Sequence, residues 1–294
     1  MPEIETGEGQ VAWQSAGDRT ALRELVRGTL TRLSRTGELP ALPPAATAAL
    51  AIARDPNAGV EGLCQVIRAD VGLSARILRV ANSAAYARRI PARTLAEAVL
   101  TLGLRKTCDL LVAAGARQLF RQVPGHAERL WNHALVVALL CEEIARETRA
   151  TEPHFAFLPG LFHDVGRIAF LLAADDAFHA VADRSGTTAD AERAWYGFDH
   201  AEAGAILVED WGLAPDQVDA IRWHHQPSQA ERGRLLAAAL NVADAEAFAM
   251  GFGGGKTAPV STAGVAVLGL AQEATGRAVA RANAAFSAHH DFLV

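Results

Sequence analysis

EPHFAFLPGLFHDVGRIAFLLA, residues 152–173, decides how this chain is read. It is long, apolar and without the residue-by-residue alternation of a half-buried strand, so it predicts helix. Within it His163 and Asp164 stand side by side, with apolar residues before them and Gly166 and Arg167 after. The pair is either a set of metal ligands or a helix end whose polar residues cap the chain. Neighbours on a helix point about 100° apart. His163 and Asp164 therefore converge most easily at a helix end, which Gly166 permits.

The same helical character extends outward in both directions. Ala, Leu, Arg and Glu, all good helix formers, dominate, and no strand-length run of alternating Val, Ile, Thr and aromatic residues occurs. An all-α fold is expected. A helix is predicted after Asp18, with Leu22, Leu25, Val26, Leu30 and Leu33 on one face. TGELPALPP breaks the chain, and Pro43 and Pro44 can open the next helix. ARDPNAG breaks it again before VEGLCQVIRAD and LSARILRVANSAAY. TLAEAVLTLGLRKTCDLLVAAGARQLF reads as two helices joined near Leu102 and Gly103. A break near residue 125 is the expected boundary between two helical lobes.

The bulk numbers exclude several classes. The 294 residues are 50% apolar and 21% charged, enough for a sizeable core. A formal charge of -5 gives no overall electrostatic grip on nucleic acid. Cys64, Cys108 and Cys141 lack any CxxC spacing, so buried free thiols are expected rather than a zinc knuckle or disulfides. The start, MPEIETGEGQ, has no basic and apolar regions of a secretory signal. Apolar stretches such as IAFLLAA are too short to span a bilayer. A cytoplasmic protein with no membrane or nucleic-acid partner is expected. GFGGGKT, residues 251–257, imitates the end of a phosphate-binding loop. The register fails because Met250 stands where that loop needs a glycine, and a flexible linker is expected instead.

The histidines carry the chemistry. His133, His163, His200, His224 and His225, with Asp164 and Asp244, each lie on or beside an apolar helix face. A carboxylate such as Asp244 is costly to bury without a partner, which a metal ion or an arginine supplies. Imidazole and carboxylate together suit iron, manganese, nickel or zinc, one ion or two. His224 and His225 cannot both serve one ion from a regular helix. His126, His154, His179, His289 and His290 are assigned to the surface or to caps.

LFHDVGR, DHAEAGAILVEDWGL and AIRWHHQP resemble the HDOD family, signalling-linked relatives of HD-domain phosphohydrolases. LPALPPAATAALAIARDP, QVIRADVGLSARILRVANSAAY and LAEAVLTLGLRKTCDLLV resemble the N-terminal half of that family. The resemblance covers residues 37–245. It implies a two-lobed helical fold with lobes at 37–125 and 126–249, the second HD-like. Residues 1–36 would be a leader and helix, and 250–294 a glycine-rich linker and C-terminal helix. It implies a bacterial signal-transduction output or scaffold module, with signalling proteins as partners and a nucleotide or cyclic dinucleotide as a candidate ligand. The related HD-GYP proteins hydrolyse cyclic di-GMP with metal ions. Their ligand pattern falls here on His163, Asp164, His200, His224, His225 and Asp244. His133 matches the leading histidine of the wider superfamily.

The departures point away from turnover. SQAERGRLL follows HHQP where the hydrolases carry Gly-Tyr-Pro, and Arg167 replaces their lysine. Arginine cannot shuttle a proton at neutral pH but can clamp a phosphate. Two functions follow from the resemblance. One is a non-catalytic signalling module. The other is a metal-dependent phosphohydrolase, with His133, His163, Asp164 and Asp244 on one ion. In that second case His200, His224 and His225 hold another ion, Asp164 bridges, and Arg167 steadies the phosphate. A third reading makes the acidic leader and the Ala-rich C-terminal helix docking segments.

Overall fold

The structure, a computed structural model, describes residues 28, 41–83, 86, 90–123, 125–173, 189–253 and 262–293, with backbone alone at 191, 194–196 and 288–293. The helix expected after Asp18, the leader, His179 and linker residues 254–261 lie outside the described residues, as do the side chains of His289 and His290. Every regular element among the described residues is helical. The first half holds α1 (Pro44–Arg54), α2 (Val60–Arg68), α3 (Val71–Ala81), α4 (Leu95–Leu102) and α5 (Leu104–Phe120). The second half begins with α6 (Ala127–Thr148), α7 (Pro153–Phe162), α8 (Val165–Ala173) and α9 (Ala189–Tyr196). It continues through α10 (His200–Asp210), α11 (Pro215–Arg222), a 3-10 turn (Pro227–Gln229) and α12 (Arg234–Ala249). α13 (Thr262–Leu268) and α14 (Gln272–Leu293) complete it.

Local chemistry sets the boundaries. Pro44 opens α1, where its missing N–H would be unpaired anyway. Asp70 caps α3 by accepting from the Leu73 N–H at 3.1 Å. Thr94 and Glu97 form a reciprocal capping box on α4. Gly103, at φ 87°, separates α4 from α5 as expected. Gly251, at φ 90°, stops α12, so GFGGGKT begins as a helix stop rather than a phosphate loop.

α6 is the organising helix. It buries Trp131, Leu135 and Leu140 completely and touches α5, α7, α12 and α14. Each such side chain contributes roughly 1.5–3 kcal/mol by leaving water. The three cysteines are buried free thiols, as expected, and burial pushes Cys108 up to about 12. α14 lies along α6, where Arg281 Nε meets Glu143 Oε2 and Arg277 Nη2 meets Glu147 Oε2, both at 2.5 Å. The C-terminal helix thus docks on the chain's own second half.

The opening stretch, expected as one helical element, is divided. α7 ends at Phe162 and α8 starts at Val165, with His163 and Asp164 in the turn between. Pro159 sits inside α7 and cannot donate to the Phe155 carbonyl. Gln217 Nε2 of α11 donates to that oxygen instead, at 2.9 Å. By length and composition residues 153–172 would suffice to cross a membrane, longer than the sequence reading granted, yet 72% of that window is buried in the protein. It is core, and its break delivers the His-Asp pair to the interior.

Candidate metal centre

Six helices converge on one point. α6 supplies His133, the α7–α8 turn supplies His163 and Asp164, and α8 supplies Arg167. α10 begins with His200, His224 and His225 follow the end of α11, and α12 supplies Asp244. Two glycines allow the approach. A Cβ on Gly160 would lie 2.5 Å from the Ala138 Cα, so this glycine lets α7 close on α6 and bring His163 to His133. A Cβ on Gly166 would lie 2.1 Å from the His200 carbonyl oxygen, so this one lets α8 close on α10. Gly166 serves through that close contact, not through an unusual backbone angle.

The structure brings all seven candidate ligands together. His133 Nε2 is 3.3 Å from His163 Nε2 and 3.2 Å from Asp244 Oδ1. Asp164 Oδ2 is 3.6 Å from His163 Nε2 and 3.8 Å from His133 Nε2. The other oxygen, Asp164 Oδ1, is 3.0 Å from His200 Nε2. His200 Nε2 is in turn 2.9 Å from His225 Nε2. His133, His163 and Asp164 form one donor group, and His200, His224 and His225 another. Asp164 turns one oxygen toward each. His224 and His225 escape the limit of a regular helix because α11 has already ended at Arg222.

These donors fit a metal. Bonds of 2.0–2.2 Å place neighbouring ligand atoms roughly 3.0–3.5 Å apart around an ion, and the separations above, 2.9 to 3.8 Å, bracket that range. His224 Nε2 is buried without a hydrogen-bond partner. A buried polar atom left this way calls for an ion or water. Two of the ring nitrogens that face away from the centre are held by main-chain carbonyls. His163 Nδ1 donates to the Gly160 carbonyl at 2.9 Å, and His224 Nδ1 to the Ile221 carbonyl at 2.7 Å. Such backing fixes each ring with Nε2 toward the centre, as metal-ligating histidines require.

Burial opposes every charge here, and the neighbours decide which survive. Against burial, Arg167, His163 and His200 hold the Asp164 carboxyl well below the usual carboxylate range. His133 and His163 do the same for Asp244. Burial and Arg167 work against a proton on His200, yet Glu192 and Asp164 raise it to about 9. His163 is raised despite its burial, chiefly by Asp164. Burial, then His163 and His200, push His224 down to about 4. Arg167 and the proton favoured on His200 therefore offset the carboxylates beside them.

Arg167 lies in the centre, not beside it. Its Nε is 3.0 Å from Asp164 Oδ1, the oxygen that also faces His200. Glu192 is the residue that sequence reasoning missed. It is fully buried on α9, and its Oε2 is 2.5 Å from His200 Nδ1. Nothing in the polar segment TTADAERAWYG marks it, because only the packing of α9 on α10 brings it under His200. Among the remaining histidines, His126 stands at the N-cap position of α6, where its ring meets the Arg129 side chain and makes no capping bond to the backbone. His154, assigned to the surface or a cap, is partly exposed and lines an open cavity of about 760 Å³ between the two halves.

A family profile described as the HDOD domain matches residues 39–227. An uncharacterized protein of Treponema pallidum (strain Nichols) is 25% identical over 197 residues, covering 65% of this chain and 38% of that protein. The chain thus spans well under half the length of this relative. A crystal structure from Shewanella amazonensis SB2B, provisionally named a phosphohydrolase, is 26% identical, with a TM-score of 0.70 over 89% of this chain and 97% of that one. A crystal structure from Marinobacter aquaeolei VT8, provisionally named a signal transduction protein, is 21% identical, with a TM-score of 0.75 over 94% of this chain and 66% of that one. The last likeness carries the fold alone.

Proposed function

The chain belongs to the HDOD family, and from that premise we propose that it is a metal-binding signalling module of bacteria that acts through contacts with partner proteins or a small ligand. The observation that carries this reading is the position of Arg167. Its guanidinium is 3.0 Å from Asp164 Oδ1, the same oxygen that would bridge to a second ion. A cation held there competes with that ion, so occupancy and the position of Arg167 are linked. Such linkage makes the centre a two-state element, which is what a signalling module needs. It also leaves the guanidinium engaged rather than presented to a phosphate.

His133, His163, Asp164 and Asp244 would hold one divalent ion, iron, manganese, nickel or zinc. His200, His224, His225 and Asp164 would hold the other. The cavity between the halves supports the small-ligand arm. Tyr86, Arg105, Lys106, Glu142, Arg146 and His154 line it, and none of them belongs to the histidine centre. A nucleotide or cyclic dinucleotide is the ligand class to try there first, with signalling proteins as partners. The fold regions 37–125 and 126–249 are taken as its two lobes.

The second reading is a metal-dependent phosphohydrolase acting on a nucleotide or cyclic dinucleotide. It is favoured by the two donor groups that share Asp164. Ions in such a pair lower the pKa of bound water and polarise a phosphate ester. The deciding experiment loads the full chain with manganese, iron, nickel or zinc and offers it cyclic di-GMP and bis(p-nitrophenyl) phosphate. The module reading expects bound metal and no turnover above free metal in buffer. Turnover that disappears in Asp164→Ala would overturn it in favour of hydrolysis.

A further inference from the structure

The three buried histidines with backed rings are not backed alike. His163 and His224 each use the main-chain carbonyl three residues earlier, Gly160 and Ile221. His200 is the first residue of α10, and its helix offers it no preceding turn. Glu192, from the preceding helix, takes that place. Its Oε2 accepts the His200 backbone N–H at 2.8 Å and faces His200 Nδ1 at 2.5 Å. Two donors of one residue on one oxygen fix the rotation of that side chain. A carboxylate oxygen that already accepts one N–H accepts the second as well, so Nδ1 carries hydrogen. The lone pair of the neutral ring is then on Nε2, aimed at Asp164 and His225.

The charge of Glu192 has a second target. Its Oε1 makes no hydrogen bond and lies 3.9 Å from Arg167 Nη1. Glu192 thus offsets the guanidinium that repels an ion from Asp164 Oδ1. A main-chain carbonyl would orient His200 equally well but would not supply that charge.

We infer that Glu192 is the positioning residue of the second ion site: it holds His200 with Nε2 toward the ion and neutralises Arg167 beside it. The inference rests on the proposed metal centre and adds which ion Glu192 governs. Glu192 reaches the donor group of His133, His163, Asp164 and Asp244 only at second hand, through Arg167 and His200 on Asp164 Oδ1, whereas it holds His200 directly.

The test uses the full chain, stripped with chelator and titrated with Zn²⁺ by equilibrium dialysis, with Co²⁺ absorption as a second readout of ligand geometry. Wild type takes up two ions. Glu192→Gln, which keeps an accepting oxygen but loses the charge, binds the first ion unchanged and the second about 10–100-fold more weakly. Glu192→Ala loses the second ion and its Co²⁺ band, while retained binding of the first ion shows that the protein is folded. Second-ion affinity equal to wild type in both variants overturns the inference. Equal weakening of both ions also overturns it, because Glu192 would then be a general structural support. Failure of wild type to bind any ion is a separate result, which removes the metal centre and this inference with it.

Discussion

Gly166→Ala should open the centre without unfolding the protein. The new methyl carbon would lie 2.1 Å from the His200 carbonyl oxygen and 2.7 Å from the Gly204 nitrogen, both in the first turn of α10. Relief to roughly 3.3 Å, still tighter than an optimal contact, requires α8 and α10 to part by about 1.2 Å. Overpacking of this kind costs about 1–3 kcal/mol. Replacing glycine in a helix returns about 1 kcal/mol, so the net loss of stability is about 0–2 kcal/mol. The effect on the site is larger in consequence. His200 Nε2 and Asp164 Oδ1 stand 3.0 Å apart across the α8–α10 contact, and metal–ligand distances tolerate only about 0.2 Å. The second ion should bind at least about tenfold more weakly, a cost of roughly 1.4 kcal/mol. Gly204→Ala is the control, because its nearest neighbour is 3.3 Å away and need yield only slightly. The assay pairs urea denaturation with chelator-competition titration of Zn²⁺. If Gly166→Ala matches Gly204→Ala in both, the close contact does not hold the site together.

Other outcomes follow from the charges. His200 is raised to about 9 from 6.5, so its proton stabilises the metal-free fold fully below about pH 6.5, and that contribution is lost as pH rises through about 9. An ion must displace this proton, so affinity at the second site should climb with pH and level off above about 9; calorimetry in buffers of different ionisation heat measures the protons released, and a flat profile would contradict the assignment. His224→Phe removes a buried nitrogen without a partner but also the Nδ1 bond to the Ile221 carbonyl, so in chelator the two roughly offset to within about 1 kcal/mol of wild type, while in Zn²⁺ the variant should fall further below wild type; an equal difference from wild type in both conditions would show that His224 is not a ligand. Burial raises Asp109 to about 8, with Lys106 opposing. Its folded value lies above the unfolded one, so stability falls as pH rises from about 4 toward 8, and Asp109→Asn should be more stable than wild type by a few kcal/mol at pH 8.5 and by much less at pH 5; equal urea midpoints at pH 8.5 would refute this.

Much of the fold was legible because helical patterning is local. Gly103 and the proline-rich start of α1 marked real boundaries, and the joined pair α4–α5 was read from them. The set of seven candidate ligands was legible for another reason: charged or basic residues beside apolar faces must find partners. The break at His163–Asp164 was less visible, since Pro159 and Gly160 work through neighbours on α11 and α6 that no local pattern names. Glu192 was invisible, because it sits in a polar segment and is buried only by the packing of α9 beneath α10. Gly166 was noticed for the wrong reason. Its smallness admits the His200 carbonyl, and that need belongs to the partner helix.

Anomalous diffraction from crystals of the full chain reconstituted with Zn²⁺ tests the account most directly. The account predicts two peaks, one among His133, His163, Asp164 and Asp244 and one among His200, His224, His225 and Asp164, with Arg167 displaced from Asp164 Oδ1. An absence of peaks at full Zn²⁺, with Arg167 still on Asp164, would contradict it.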